Sequence, residues 1–338
     1  MTCPLCTNNE GNKKNTHYFT DKIIRSCLNL DGGNARETGF YFDLSNDTAF
    51  VEFNFQRETS IEKLEETLGR GATEEEIEQA KKIPFSVDYV FCTDCEAIFT
   101  EIEEAFIENI LPKLRDAEIH EHASLDFQEI RTIRLFFYIQ VWRTAICEKS
   151  FKLSADTFEK LRLIILNHKT VTEEQVKEFP LSITYLETLG GEKAYTSNFV
   201  GFTSDRNPNL IIMNDFVIQF HETIEHVKFF DFYNLNDEHF PKFANYKEEV
   251  FKVRILHNAE RKAFLRAMVR EEKVKVTLSF YEEKFKELWF KLFGVNPSPA
   301  LSQEFIKVIA KEQDSVLSHT RENIMRLTTE FISEKLKL

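Results

Sequence analysis

Apolar positions recur with two different periods along this chain. In residues 48–56, Val51, Phe53 and Phe55 alternate with Glu52, Asn54 and Gln56, the period-two pattern of a strand with one apolar face. A second strand-like run at 39–44, joined to it by Ser45-Asn46-Asp47, predicts a hairpin, and 85–91 reads as a further strand. A short helix is expected at 21–28. Residues 58–82 are acidic and helical in pattern, with Thr73 and Glu76 spaced as a capping box, and read as an insertion.

After residue 95 the apolar spacing shifts to every third or fourth position, predicting helices over about 96–118, 124–148 and 154–168. Runs at 181–189, 198–202 and 210–220 are β-branched and aromatic enough for a small sheet. Long amphipathic helices are expected near 243–270, 276–293 and 301–336, interrupted at Gly294 to Pro299, and no internal repeat is evident. The pattern predicts an α+β chain: an N-terminal module over residues 1–100 containing the hairpin, then a mainly helical domain over 101–338 with a small sheet.

Composition narrows this picture. The 338 residues are 42% hydrophobic and 29% charged, enough to bury a sizeable core. No run of about 18 uncharged apolar residues occurs, and Cys3 follows Met1-Thr2 where a secretory leader needs a basic and then an apolar stretch, so a cytoplasmic protein without membrane association is expected. The net charge of −13 excludes a general basic coat for nucleic acid. Two local basic candidates stand out: Lys13, Lys14, Lys22 and Arg25, and a later run with Lys252, Arg254, Arg261, Lys262, Arg266, Arg270, Lys273 and Lys275. In the later run Glu260, Glu271 and Glu272 are interspersed, which favours a solvated helix face.

Cysteine spacing carries the clearest chemistry. Cys3-Pro4-Leu5-Cys6 and Cys92-Thr93-Asp94-Cys95 are two CxxC turns whose four thiolates would supply a tetrahedral zinc site. The 85 residues between Cys6 and Cys92 exceed the spacing of a compact zinc finger, but loop closure cost rises only logarithmically with length. The second turn lies where a strand should pass into a helix, as in a treble clef. Cys27 and Cys147 are read as small core residues.

These residues carry a resemblance. Cys3-Pro4-Leu5-Cys6, then Thr16-His17-Tyr18-Phe19, then Val90-Phe91-Cys92-Thr93-Asp94-Cys95-Glu96 is similar in order to prokaryotic HNH-like zinc proteins, which read CxxC, Ser-His-Ile-Ile-Pro and Leu-Cys-x-x-Cys-Glu. Phe136-Phe137-Tyr138-Ile139-Gln140-Val141-Trp142-Arg143-Thr144 resembles a Trp-Arg helix that often follows in that family. The resemblance implies a treble-clef core related to HNH endonucleases, in mobile-element or phage-defence settings. It implies His17 as the base that activates water, with Asp21, Asp88 and Glu96 as ligands for a catalytic Mg²⁺ or Mn²⁺. Thr16 stands where active HNH enzymes carry an acidic residue, and Tyr18-Phe19-Thr20 replaces Ile-Ile-Pro. His17 is therefore open to three readings: base, zinc ligand replacing one thiolate, or bystander. Asp94 and Glu96 are equally explained as carboxylates stabilising a helix N-terminus.

Other constellations are weaker. His221-Glu222-Thr223-Ile224-Glu225-His226 has one residue too many to place two histidines on one helix face as HExxH does. Arg162 and His168 match the loose Arg-to-His spacing of HEPN ribonucleases, but an apolar Leu163 follows the arginine. His120 and His122 fall in an expected loop. Arg143, in an apolar helix, needs an anion or aromatic partner, with Glu129, Glu148 and Asp156 as sequence-near candidates for an internal pair. Two functional readings follow: an HNH-like nuclease whose local basic site meets nucleic acid, and a non-catalytic zinc-containing adaptor or complex subunit. In both, the helical domain serves sensing, a protein partner or homo-oligomerisation.

Overall fold

The computed structural model describes residues 1–28, 39–42, 51–54, 61–62, 65, 69–74, 77, 85–115, 119, 121–187, 200–202, 208–227, 233, 235–311 and 321–336. The chain is mixed α+β and divides into two compact units, the first ending at Leu265 and the second comprising Arg266–Leu338. The expected boundary near residue 100 falls inside a helix of the first unit.

The first unit begins with the Cys3–Cys6 turn, strand β1 (Thr16–His17) and helix α1 (Asp21–Leu28). The expected hairpin forms between β2 (Gly39–Phe42) and β3 (Val51–Asn54), antiparallel with Gly39 opposite Asn54; its linking residues, and most of 58–82, lie outside the described residues. Of the strand expected over 85–91, only β4 (Ser86–Val87) is extended. It pairs antiparallel with β1, Thr16 opposite Val87. Helix α2 (Thr93–Asn109) follows, and the helix expected to run to 118 breaks at Ile110 before α3 (Leu111–Leu114), where Pro112 cannot donate to the preceding turn.

Two expected helices contain strands. Ser124–Phe127 is strand β5, because Ser-Leu-Asp-Phe alternates polar and apolar; helix α4 starts only at Ile130 and ends at Cys147. Helix α5 (Ala155–Leu166) is capped by Ser154, whose hydroxyl accepts from Thr157 N–H at 3.3 Å, and α6 (Glu173–Val176) carries a full capping box between Thr172 and Gln175. Strands β6 (Leu181–Leu186), β7 (Val200–Phe202), β8 (Asn209–Met213) and β9 (Phe216–Phe220) follow. The single run expected over 210–220 is a hairpin turning at Asn214-Asp215, with Asn214 at φ 47°, a conformation asparagine tolerates. The last strand, β10 (Phe251–Leu256), lies inside the helix expected over 243–270; its Phe-Lys-Val-Arg alternation buries Phe251 and Val253 while exposing Lys252.

These strands form one six-stranded sheet in the order β5-β10-β6-β9-β8-β7, antiparallel except for β10 with β6. Helix α4 is buried almost all round, which removes the amphipathic signature of a surface helix. Its Phe136 stacks on Phe106 of α2 with centroids 3.8 Å apart, and Phe137 meets Phe216 of the sheet at 5.5 Å. Trp142 stacks on Phe158 of α5 and reaches Phe91 and Phe99 at 6.3 Å, so one aromatic core runs from the cysteine turns to the sheet.

Helix α7 (Asn258–Phe293) crosses the boundary between the units as one helix, where an interruption was expected at 271–275. It ends at Gly294, φ 72°. Helices α8 (Pro299–Ile309) and α9 (Arg321–Leu336) replace the single helix expected over 301–336. Ser298 caps α8, and Phe285, Phe305, Ile309, Phe331 and Ile332 form the second unit's core.

Candidate metal centre and the strand pair beside it

The two CxxC turns meet. Cys3 closes the first turn by donating its N–H to the Asn9 carbonyl at 2.7 Å and accepting from Thr7 N–H at 2.9 Å, which bends residues 3–9 around the sulfur atoms. Cys92 is the N-cap of α2 and Cys95 lies in its first turn. Asn12 Oδ1 accepts from Thr93 N–H at 3.0 Å, so the loop after the first turn caps the helix that carries the second. The four Sγ atoms lie within 4.8 Å of one another, and Cys6 Sγ is 3.9 Å from Cys92 Sγ, beyond any disulfide. Such a group could hold a metal ion.

The surroundings treat the four thiols differently. Burial pushes Cys3 and Cys95 up, and for Cys95 the neighbouring sulfur atoms add to it. Cys6 is half-buried: desolvation, the largest single effect, pushes it up, but the backbone N–H groups of Asn9 and Asn8, with the Cys95 and Cys92 sulfur atoms, together bring it down to about 7. A cation among the sulfur atoms would favour the thiolate at all four positions. Arg162 braces the first turn from α5, its Nη1 donating to the Leu5 carbonyl at 2.6 Å while Glu159 holds the guanidinium at 2.7 and 2.8 Å. His168 instead faces Glu101, 3.5 Å away, so Arg162 has a bracing role of its own.

Residues 12–18 and 85–91 lie side by side next to this cluster. Asn12 and Lys13 N–H both donate to the Phe91 carbonyl, Tyr89 N–H to the Lys13 carbonyl at 2.6 Å, and Tyr18 N–H to the Phe85 carbonyl at 2.8 Å. His17 is half-buried on β1, with Nδ1 3.5 Å from Asp21 Oδ1 on the first turn of α1. It is outside the four-cysteine group. Asp88 is exposed after β4, and its Oδ1 accepts from Asn15 N–H at 2.7 Å. Glu96 lies one residue beyond Cys95, with Oε1 buried and without a hydrogen-bond partner. Burial raises its carboxyl to about 7 against the opposing pull of Arg143, with Glu103 adding to the rise. His17 and Asp88 thus belong to the same strand pair, whereas Glu96 belongs to a polar cluster centred on Arg143.

No family model, curated protein or solved structure matches this chain.

The Arg143 cluster was only partly legible in the sequence. Arg143 is 2% exposed and donates to the His17 carbonyl at 3.2 Å, to Gln140 at 3.4 Å and to Glu103 Oε1. Gln140 Nε2 donates to Thr20 Oγ1 at 2.8 Å, while that hydroxyl donates to Glu103 at 2.9 Å. The three sequence-near candidates have other partners: Glu129 pairs with Lys113, Glu148 accepts from the Tyr18 hydroxyl, and Asp156 pairs with Lys160. Gln140 and Arg143, one turn apart in an apolar helix, are the signal that could have revealed the network.

The remaining candidates resolve into structural roles. Glu222 accepts from Ser154 N–H and the Thr157 hydroxyl at the start of α5. His221 is fully buried with neither ring nitrogen hydrogen-bonded, and desolvation, with His226 nearby, brings it down to about 4. In the later basic run, Arg254 bonds Asp237 and the Leu235 carbonyl, and Arg261 is buried against the Leu186 and Asn214 carbonyls. These two arginines are turned inward, away from any phosphate track.

Proposed function

We propose that this chain is a zinc-stabilised, metal-dependent nuclease of HNH-like type. The observation that carries the reading is the pairing of His17 Nδ1 with Asp21, 3.5 Å away, on a strand that runs beside the four-cysteine group. Four sulfur atoms within 4.8 Å of one another, with Cys6 and Cys92 at 3.9 Å, suit Zn²⁺, whose bond of about 2.3 Å to each sulfur sets tetrahedral neighbours roughly 3.8 Å apart. One CxxC turn, a strand pair and a helix that begins at the second CxxC turn follow one another as a treble clef does.

In this reading Asp21 orients the His17 ring through Nδ1, and His17 is the base that takes a proton from water attacking a phosphodiester. Arg143 steadies the strand from behind through the His17 carbonyl. Asp88 and Asp21 are the carboxylates this reading assigns to Mg²⁺ or Mn²⁺, although among the described residues the four cysteines are the group whose ligand atoms already converge. Such an ion would stabilise charge developing on the phosphate and the leaving oxygen. Glu96, raised to about 7 and set beside Arg143, is a poorer oxygen ligand than its place after Cys95 suggests.

The test is cleavage of plasmid DNA and of RNA by purified protein with Mg²⁺ or Mn²⁺, beside a His17→Ala variant of equal zinc content. Cleavage lost in the variant supports the assignment. No cleavage by the zinc-loaded wild type overturns it in favour of the second reading, a non-catalytic zinc-containing adaptor. That reading has its own support: Asp88 already binds Asn15 N–H, and Glu96 lies within the Arg143 cluster.

A further inference from the structure

Tyr89 is an exposed aromatic residue held in the left-handed backbone region. A bulky side chain in the left-handed region is sterically costly, yet Tyr89 has φ 59° and leaves 47% of its surface exposed. Three features hold it there. Its N–H donates to the Lys13 carbonyl at 2.6 Å. Its carbonyl comes so close to Gly11 that a Cβ at that position would lie 2.2 Å from the oxygen, so residue 11 must be glycine. The Lys14 ammonium stands 5.2 Å from the ring centroid. The backbone is therefore fastened in a strained shape that presents an exposed aromatic ring with the Lys14 ammonium beside it. Tyr89 lies two residues beyond Val87, which pairs with Thr16 beside His17.

We propose that Tyr89, with Lys14, is a stacking platform for an unpaired nucleotide, so that the substrate class of the His17 site is single-stranded nucleic acid. An aromatic face can stack on a base only where the base is not enclosed in a duplex, and an adjacent ammonium meets the phosphate that follows. The chain's net charge of −13 and the exposed Asp88 and Asp94 confine this attraction to a small patch and make it sensitive to salt. The inference rests on the nuclease reading for the word substrate; the platform itself is tested by binding alone.

The experiment is fluorescence anisotropy at about 50 mM salt without added divalent cation, using labelled 12-nucleotide dT, the matching rU strand and a duplex of equal length. The expected result is single-strand binding at least tenfold tighter than duplex binding. Tyr89→Ala weakens single-strand binding about tenfold, within the roughly 5- to 150-fold range of one lost stack, and Tyr89→Phe retains it. Lys14→Gln lowers the log–log salt slope by about 0.7. Tyr89→Gly removes the ring and the strain together, so it keeps the fold and the zinc content while losing the binding. Equal affinity for single strand and duplex, no binding, or unchanged binding by Tyr89→Gly would overturn the proposal. Single-strand binding without His17-dependent cleavage removes only the nuclease reading. His17-dependent cleavage without single-strand preference removes only the platform. The dT and rU arms separate DNA from RNA.

Discussion

Replacing Arg143 tests whether the strand carrying His17 is held by the helix behind it. Arg143→Ala removes the donor to the His17 carbonyl at 3.2 Å, the ion pair with Glu103 and the guanidinium 5.1 Å above the Phe99 ring. Removing one partner of a buried ion pair costs about 3–5 kcal/mol, because the other charge is left desolvated. Glu103 keeps 20% of its side-chain surface in solvent and retains the Thr20 hydroxyl, which places the expected loss at about 3 kcal/mol. Urea denaturation followed by Trp142 fluorescence measures it. The second tryptophan, Trp289, belongs to the other unit, and a Trp289→Phe background leaves one reporter in the aromatic core next to Arg143. Coupling is measured with Glu103→Gln and the double variant Arg143→Ala/Glu103→Gln. If the pair acts as described, the double variant is less destabilised than the sum of its single changes by about 1–2 kcal/mol. A loss below about 1 kcal/mol for Arg143→Ala, or strict additivity, would refute the claim that this pair anchors β1.

Three further outcomes are expected. His221 is held at about 4 in the folded chain against an ordinary value of 6.5, so it stays neutral when folded and gains a proton on unfolding below pH 6.5. Its contribution is present in full above pH 6.5 and falls by about 3 kcal/mol as pH drops to 4, and urea midpoints of His221→Phe across that range should show a correspondingly flatter slope. Gly11→Ala forces a Cβ to within 2.2 Å of the Tyr89 carbonyl and should cost about 2 kcal/mol or more, read as a lower midpoint with accelerated hydrogen exchange at residues 12–18. Cys6→Ser, or a chelator, should remove bound zinc and expose Cys3, Cys92 and Cys95 to a thiol reagent; full protection without metal would count against the four-sulfur site.

How much of this was readable beforehand varied with the physics. The CxxC turns were legible because their chemistry is local, and their meeting across 85 residues is what a single ion shared between them would require. The hairpin between β2 and β3 and the Ser154-capped helix were legible because alternation and capping act over a few residues. Strand β10 was hidden because its short Phe-Lys-Val-Arg alternation abuts a 36-residue helix whose periodicity dominates any longer window. Strand β5 was hidden because its four residues abut the long, almost continuously apolar run of α4, which reads as one helical stretch. The Arg143 network depends on Thr20, Glu103 and Gln140, brought together by tertiary packing that no local pattern encodes.

The antiparallel pairing of residues 12–18 with 85–91 has a topological consequence. Both halves of the cysteine group, both strands beside it and the loop that caps α2 come from the two ends of one long excursion of the chain. Covalent continuity across that excursion contributes only loop entropy to the centre. Two polypeptides, one ending and the other beginning within residues 58–82, would retain every contact described around the four sulfur atoms. An ion held by the four sulfur atoms would then act as a splice between them, beside the strand pairing of residues 12–18 with 85–91.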